Sequence, residues 1–168
     1  MDNIVKSVRQ AIADGNLYGA LFISLTLPDI CSKLEKPGIN TNQRYPEWFE
    51  KYMTEYRNFM PGKDAYALRC SLLHEGRDNI TNQSIRESLE YYVFMTDGPH
   101  LSLVKNCWFN NEKKTFLQLR VDKFCEDLCV GVEGWLEGVK DTPEIVSRLS
   151  ETIQIHPPGY AHFGIKFG

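Results

Sequence analysis

Apolar residues recur at three- and four-residue spacing through roughly the first 77 positions, then switch to alternation between about residues 89 and 121. Helices are therefore expected first and strands afterwards. Residues 2–13 place Ile4, Val5, Val8, Ala11 and Ile12 on one helical stripe, and Asp14-Gly15-Asn16 reads as its stop. A second helix is expected from Leu17, with Ala20, Leu21, Ser24 and Leu25 facing inward. Pro28 should kink it or start it afresh, which would put Asp29 in a helical first turn as a stabilising carboxylate. Ile30, Cys31 and Leu34 continue the stripe up to Lys36-Pro37-Gly38, and residues 37–44 read as a polar loop.

Pro46 and Glu47 are expected to open an aromatic helix in which Trp48, Phe49, Tyr52, Met53 and Tyr56 recur at helical spacing. That stripe reads as core, with a base-stacking surface as the alternative. After Pro61-Gly62 a compact helix is expected over Asp64–His74, with Gly76 where a left-handed cap is usual.

Tyr91–Met95, Leu101–Phe109 and Thr115–Val121 have strand character, separated by turn signals at Asp97-Gly98-Pro99 and Asn110-Asn111-Glu112-Lys113. Short turns between successive strands imply a meander. Asp122 is a candidate N-cap for a helix burying Phe124, Leu128, Val132, Trp135 and Leu136, and Pro143 opens a short one to Ser150. The expected fold class is α+β: a helical bundle with a three-stranded antiparallel β-meander. It is read as a single domain over 1–168, helical at about 2–77, sheet at about 89–121, helices again at about 122–150 and an extended Pro/Gly-rich tail at 151–168.

Composition changes this picture in two ways. The hydrophobic share of 42% and charged share of 24% are those of a folded domain. A net charge of -3, however, lacks the basic excess with which proteins grip duplex phosphates, so stable duplex DNA binding is not expected and any RNA contact would be local and transient. No signal peptide is read at Met1-Asp2-Asn3, and the apolar run Leu17–Leu27 is about half a membrane span, so a cytoplasmic protein without membrane partners is expected. Cys31, Cys70, Cys107, Cys125 and Cys129 are odd in number, form no Cys-x-x-Cys pair and sit in apolar runs, which fits buried free thiols.

Candidate chemistry concentrates in Arg69-Cys70-Ser71-Leu72-Leu73-His74, near the end of a helix. Five positions at about 100° each set Arg69 and His74 some 140° apart, so they converge only if the helix end loosens or a second chain completes the site. The segment resembles the HEPN superfamily, helical-bundle domains of bacterial toxins and RNA-processing proteins marked by an Arg-x(4–6)-His motif near a helix end. The likeness is close over Arg69–His74, loose over the surrounding helices, and does not extend to the sheet. The run Ala67–Gly76 and the Leu-Pro-Asp-Ile-Cys stretch at Leu27–Cys31 also resemble those of a group of uncharacterised bacterial proteins.

The HEPN resemblance implies metal-independent RNA cleavage at the ribose 2′-hydroxyl, in a defence, toxin–antitoxin or RNA-processing setting. His74 would be the proton-transfer group and Arg69 the phosphate clamp, with no cofactor or metal and a homodimer as the working form. Active members commonly carry a polar residue, often Asn, directly after the arginine; here it is Cys70.

The same pair has other readings. His74 at a helix end is favoured by the dipole, and Arg69 could pair with a carboxylate such as Asp29 or Glu47 to lock helices together. That would make the chain a non-catalytic interaction or scaffolding module; a small-ligand sensor on the same bundle is a third possibility. His100 is expected to be exposed in a turn, His156 and His162 lack neighbours that would complete a metal site, and Glu126 and Asp127 diverge on their helix.

Overall fold

The computed structural model describes residues 1–166. Its helices are α1 (Asp2–Ala13), α2 (Leu17–Glu35), α3 (Thr41–Tyr52), α4 (Gly62–Glu75), α5 (Val121–Val139) and α6 (Pro143–Ser150), with a 3-10 turn at Thr54–Tyr56. The strands are β1 (Tyr91–Met95), β2 (Ser102–Phe109), β3 (Glu112–Arg120) and a small terminal pair, β4 (Ala161–His162) and β5 (Ile165–Lys166). The architecture is α+β.

Helix α2 is the centre, packing against α1, α3, α4 and α5. It runs unbroken through Pro28, which corrects the expected kink or restart. Proline removes one backbone bond and loosens the turn before it, at a cost of about 3 kcal/mol. Leu25, Leu27 and Cys31, all buried, flank the proline and anchor both halves, while the Tyr45 hydroxyl donates to the Leu25 carbonyl at 3.4 Å in the loosened turn. Asp29 consequently lies inside the helix and not in its first turn. By length and apolar character alone α2 could cross a membrane, but here it is a core helix.

Helix α3 begins at Thr41, earlier than the proline suggested, and passes through Pro46. The start of α4 packs directly on this proline: a Cβ at Gly62 would lie 2.4 Å from the Pro46 carbonyl oxygen, so only glycine allows so close an approach. Trp48, Phe49, Met53 and Tyr56 are buried and Tyr52 half-buried, so the aromatic stripe is core. Helix α4 ends as its sequence suggests, on Gly76 in the left-handed conformation, whose N–H bonds back to Leu72.

The alternating stretch makes three strands but not a meander. The order is β1-β3-β2, with β2 and β3 antiparallel and β1 parallel to β3. Asn110 and Asn111, both at positive φ, form the tight turn joining β2 to β3, as right-handed twist favours. The Asp97-Gly98-Pro99 turn does not close a hairpin. It carries the chain across the end of the sheet, because His100 in that connection is drawn into the helical body (below). The most regularly alternating strand, β3, then takes the centre with Leu117 and Leu119 fully buried.

Asp122 is not a cap either: α5 starts at Val121, and Asp122 pairs with Arg120. The Cys31, Cys125 and Cys129 thiols are buried as expected, whereas Cys70 is half-buried and Cys107 lies exposed on edge strand β2. The tail holds the β4–β5 pair where no regular structure was expected; its last two residues lie outside the described range.

Residues 77–90 are irregular yet well held. Ile80 and Leu89 are buried, and the fully buried Asp64 carboxylate accepts from the backbone N–H groups of Glu87, Ser88 and Leu89 and from the Ser88 hydroxyl. Asp64→Ala should strand these donors and lower stability by about 3 kcal/mol, measured by urea denaturation. Burial pushes the Cys125 and Cys129 thiols up to about 11 and about 12. At pH 8 a thiol reagent should therefore modify Cys107 first, with Cys31, Cys125 and Cys129 reacting only on unfolding.

Candidate functional site

Arg69 and His74 meet. The Arg69 Nη1 lies 3.0 Å from His74 Nε2, although their Cα–Cβ directions diverge around α4. No loosening of the helix is needed, because the long arginine side chain spans the gap. The guanidinium is a donor, so Nε2 is the accepting nitrogen and the proton of the neutral ring sits on Nδ1. Among the described residues Nδ1 has no hydrogen-bond partner, and His74 itself is exposed.

What orients Arg69 is Asp29. Arg69 Nη2 donates to Asp29 Oδ2 at 2.8 Å, while Arg44 Nη2 donates to Asp29 Oδ1 at 2.7 Å. Arg44 is buried and tied further to the Asp29 carbonyl (2.5 Å), the Ser32 hydroxyl (2.8 Å) and the Thr41 hydroxyl (2.7 Å). The carboxylate thus binds α3 and α4 to α2. Two guanidinium groups against one carboxylate leave the cluster one positive charge in excess with His74 neutral. Arg69 is about one-fifth exposed (18%), and its buried Nε–H lacks a partner among the described residues. The centre is therefore cationic, with its outer edge formed by an exposed imidazole.

Tyr66, one turn before Arg69, packs its ring on Tyr45 with centroids 5.5 Å apart. Burial, more than its neighbours, pushes its hydroxyl up to about 12, so near neutral pH it remains protonated and can donate but not act as a base. Cys70 is half-buried beside the arginine. The alternative pairing of Arg69 with Glu47 is not made; Glu47 pairs with Lys36 at 2.6 Å.

A second polar cluster lies elsewhere. The Tyr56 hydroxyl donates to Asp127 Oδ2 at 2.7 Å and lies 2.9 Å from His100 Nε2, and His100 Nδ1 accepts from the Arg120 N–H at 3.1 Å. His100 is thus half-buried and bonded at both nitrogens, which corrects its expected exposure. With Nδ1 accepting, Nε2 carries the ring proton and donates to Tyr56. The chain of bonds runs from the sheet through the imidazole and phenol to α5, and staples the two layers. Glu126 points away to Arg9 (2.7 Å), so the adjacent carboxylates do diverge.

Sequence reading missed Arg44, Asp64 and the Tyr56–His100–Asp127 cluster. Arg44 sat in what read as a polar loop, and nothing local marks the other groups as partners. His156 stacks on Tyr160, whose hydroxyl lies 3.2 Å from His162 Nδ1. No family model, curated protein or solved structure matches the chain.

Removing the Asp29 carboxylate should be far more damaging than removing His74. Asp29→Ala leaves two partly or fully buried guanidinium groups facing each other and should cost about 3–5 kcal/mol in chemical denaturation. His74→Ala, at an exposed position, should fall within about 0.5 kcal/mol of the parent.

Proposed function

We propose that the Arg69–His74 pair is a phosphodiester-cleaving centre and that the chain is a HEPN-like, metal-independent ribonuclease acting in a defence, toxin–antitoxin or RNA-processing setting. The observation that carries this reading is the 3.0 Å approach of Arg69 Nη1 to an exposed His74 ring, with the guanidinium held in place from behind by Asp29. A phosphate arriving at this edge meets a cation whose orientation is already set, so little reorganisation accompanies binding. It displaces His74 from Nη1, and the freed Nε2 lone pair is then beside the ribose.

In the reaction the 2′-hydroxyl oxygen attacks the adjacent phosphorus, and the bond from phosphorus to the 5′-oxygen breaks. The products are a 2′,3′-cyclic phosphate and a 5′-hydroxyl. One group must take the 2′-proton and one must protonate the leaving oxygen. Near neutral pH the imidazole suits either task, and Arg69 offsets the charge that builds on the phosphate oxygens. A single His74 supplies one of the two transfers in a given step. A homodimer bringing two copies of the pair together would supply both.

A second reading has its own support. Arg69 already satisfies Asp29, and Asp29 ties three helices together, so the pair could serve a non-catalytic scaffold. The two separate in one experiment. Under the ribonuclease reading the purified chain cleaves single-stranded RNA to cyclic-phosphate ends in the presence of EDTA. His74→Ala then loses activity by about 100-fold or more with an unchanged melting temperature. An inert parent chain, or a His74→Ala variant that cleaves like the parent, would leave the scaffold reading.

A further inference from the structure

A cavity of about 490 Å³ is lined by residues of neither polar cluster. It is a groove between the start of α2, the end of α4 and the free edge of β1, walled by Leu17, Phe22, Leu72, Phe94, Thr96 and Val121. Its volume is in the range of ligand sites; apolar side chains predominate in its walls, joined by Arg77 and Asp78, and no buried unpartnered polar atom among the described residues lies in it. A backbone edge is present instead. Strand β1 is at one side of the sheet, and only its beginning is covered: Ile80 donates to the Glu90 carbonyl and Tyr92 donates to the Asp78 carbonyl. Backbone groups alternate along a strand, so those of Phe94 point to the same side as those of Tyr92. There the loop pairing has ended and the groove begins. A free edge over an apolar groove is a template for an added strand.

The same molecule displays a segment suited to it. Thr152-Ile153-Gln154-Ile155, just after α6, has no regular secondary structure, and its isoleucines are 82% and 95% exposed. Two β-branched apolar residues at alternate positions put both side chains on one face of a strand, with threonine and glutamine on the other. That is the pattern an edge with one apolar side requires.

The segment does not occupy the groove of its own protomer, since both isoleucines are exposed. Arg148 Nε donates to the Leu34 carbonyl at 2.7 Å, which fixes α6 at the far end of α2. From Leu34 to Phe22, where the groove begins, is about 18 Å along the helix. Ile153 follows Arg148 by two helical residues and three beyond the helix, or about 13 Å. We infer that the Thr152–Ile155 segment of a second copy of this chain adds as a strand along β1 over Val93–Thr96, seating its two isoleucines in the groove. Done reciprocally between two copies the exchange closes as a dimer; done head to tail it would grow without limit. The inference stands apart from the ribonuclease reading, since it involves neither Arg69 nor His74.

Light scattering on the full chain at about 100 µM should give a dimer. Ile153→Asp/Ile155→Asp should be a monomer with the melting temperature of an undimerised parent, because both side chains are exposed within the protomer. A synthetic peptide of residues 149–156 in excess should dissociate the parent dimer. The same peptide should bind the double variant and slow amide exchange at 93–96, independently of how the variant's tail behaves. A monomeric parent, a dimer that persists in the double variant, or a peptide that leaves 93–96 exchanging freely would each overturn the proposal.

Discussion

Asp29 is a charge placed in the middle of a core helix, and the arrangement around it exists to make that tolerable. A carboxylate one-fifth exposed, and set between Arg44 and Arg69, has each oxygen bonded to a guanidinium. Breaking such a set from one side leaves an uncompensated charge, which is why pairs of this kind hold helices in one relative position even where they add little net stability. Helix α3 is held to α2 through Arg44 and α4 through Arg69. The position of His74 relative to the guanidinium follows from that registration, so the candidate site inherits its geometry from a structural ion pair.

This also explains how one residue can serve two purposes. Arg69 uses Nη2 to hold α4 on α2 and offers Nη1 to the exposed imidazole. A guanidinium can do this because its donors are fixed in a planar fork. A lysine has three donors on one nitrogen, so both acceptors would have to lie within reach of a single point. The excess positive charge of the cluster is local and does not conflict with a chain that is acidic as a whole. It does limit any polyanion to engagement at one small site instead of along a broad face.

The sheet is attached by a different device. His100 accepts from the Arg120 N–H and donates to Tyr56, whose hydroxyl donates in turn to Asp127. The imidazole therefore joins the β1–β2 connection, the end of β3, the 3-10 turn and α5. Fixing this connection across the sheet's end separates β1 from β2 and lets β3 lie between them. The mixed topology and the open edge of β1 are both consequences. Asp64 does comparable work for residues 77–90, where a buried carboxylate replaces the regular hydrogen bonding that the segment lacks.

Much was legible from residue order alone, because it depends on local periodicity. Helix α1, the buried face of α5, the start of α6 at Pro143, the Gly76 cap and the alternation of Leu117 and Leu119 all follow from spacing and from the conformations of single residues. The candidate pair could be named from its spacing, but its meeting across an intact helix could not. Residue order could not show that α2 continues through Pro28 or α3 through Pro46, because burial on both flanks outweighs a local penalty of about 3 kcal/mol. Nor could it order the strands, because β1 chose its neighbour through a histidine whose partners lie 20 to 44 positions away. Asp29, Arg44 and Arg69 belong to three helices, and their convergence arises only when those helices pack. Periodicity determined which residues are buried; only the tertiary structure decided which charges meet, since electrostatic pairing acts between neighbours in space.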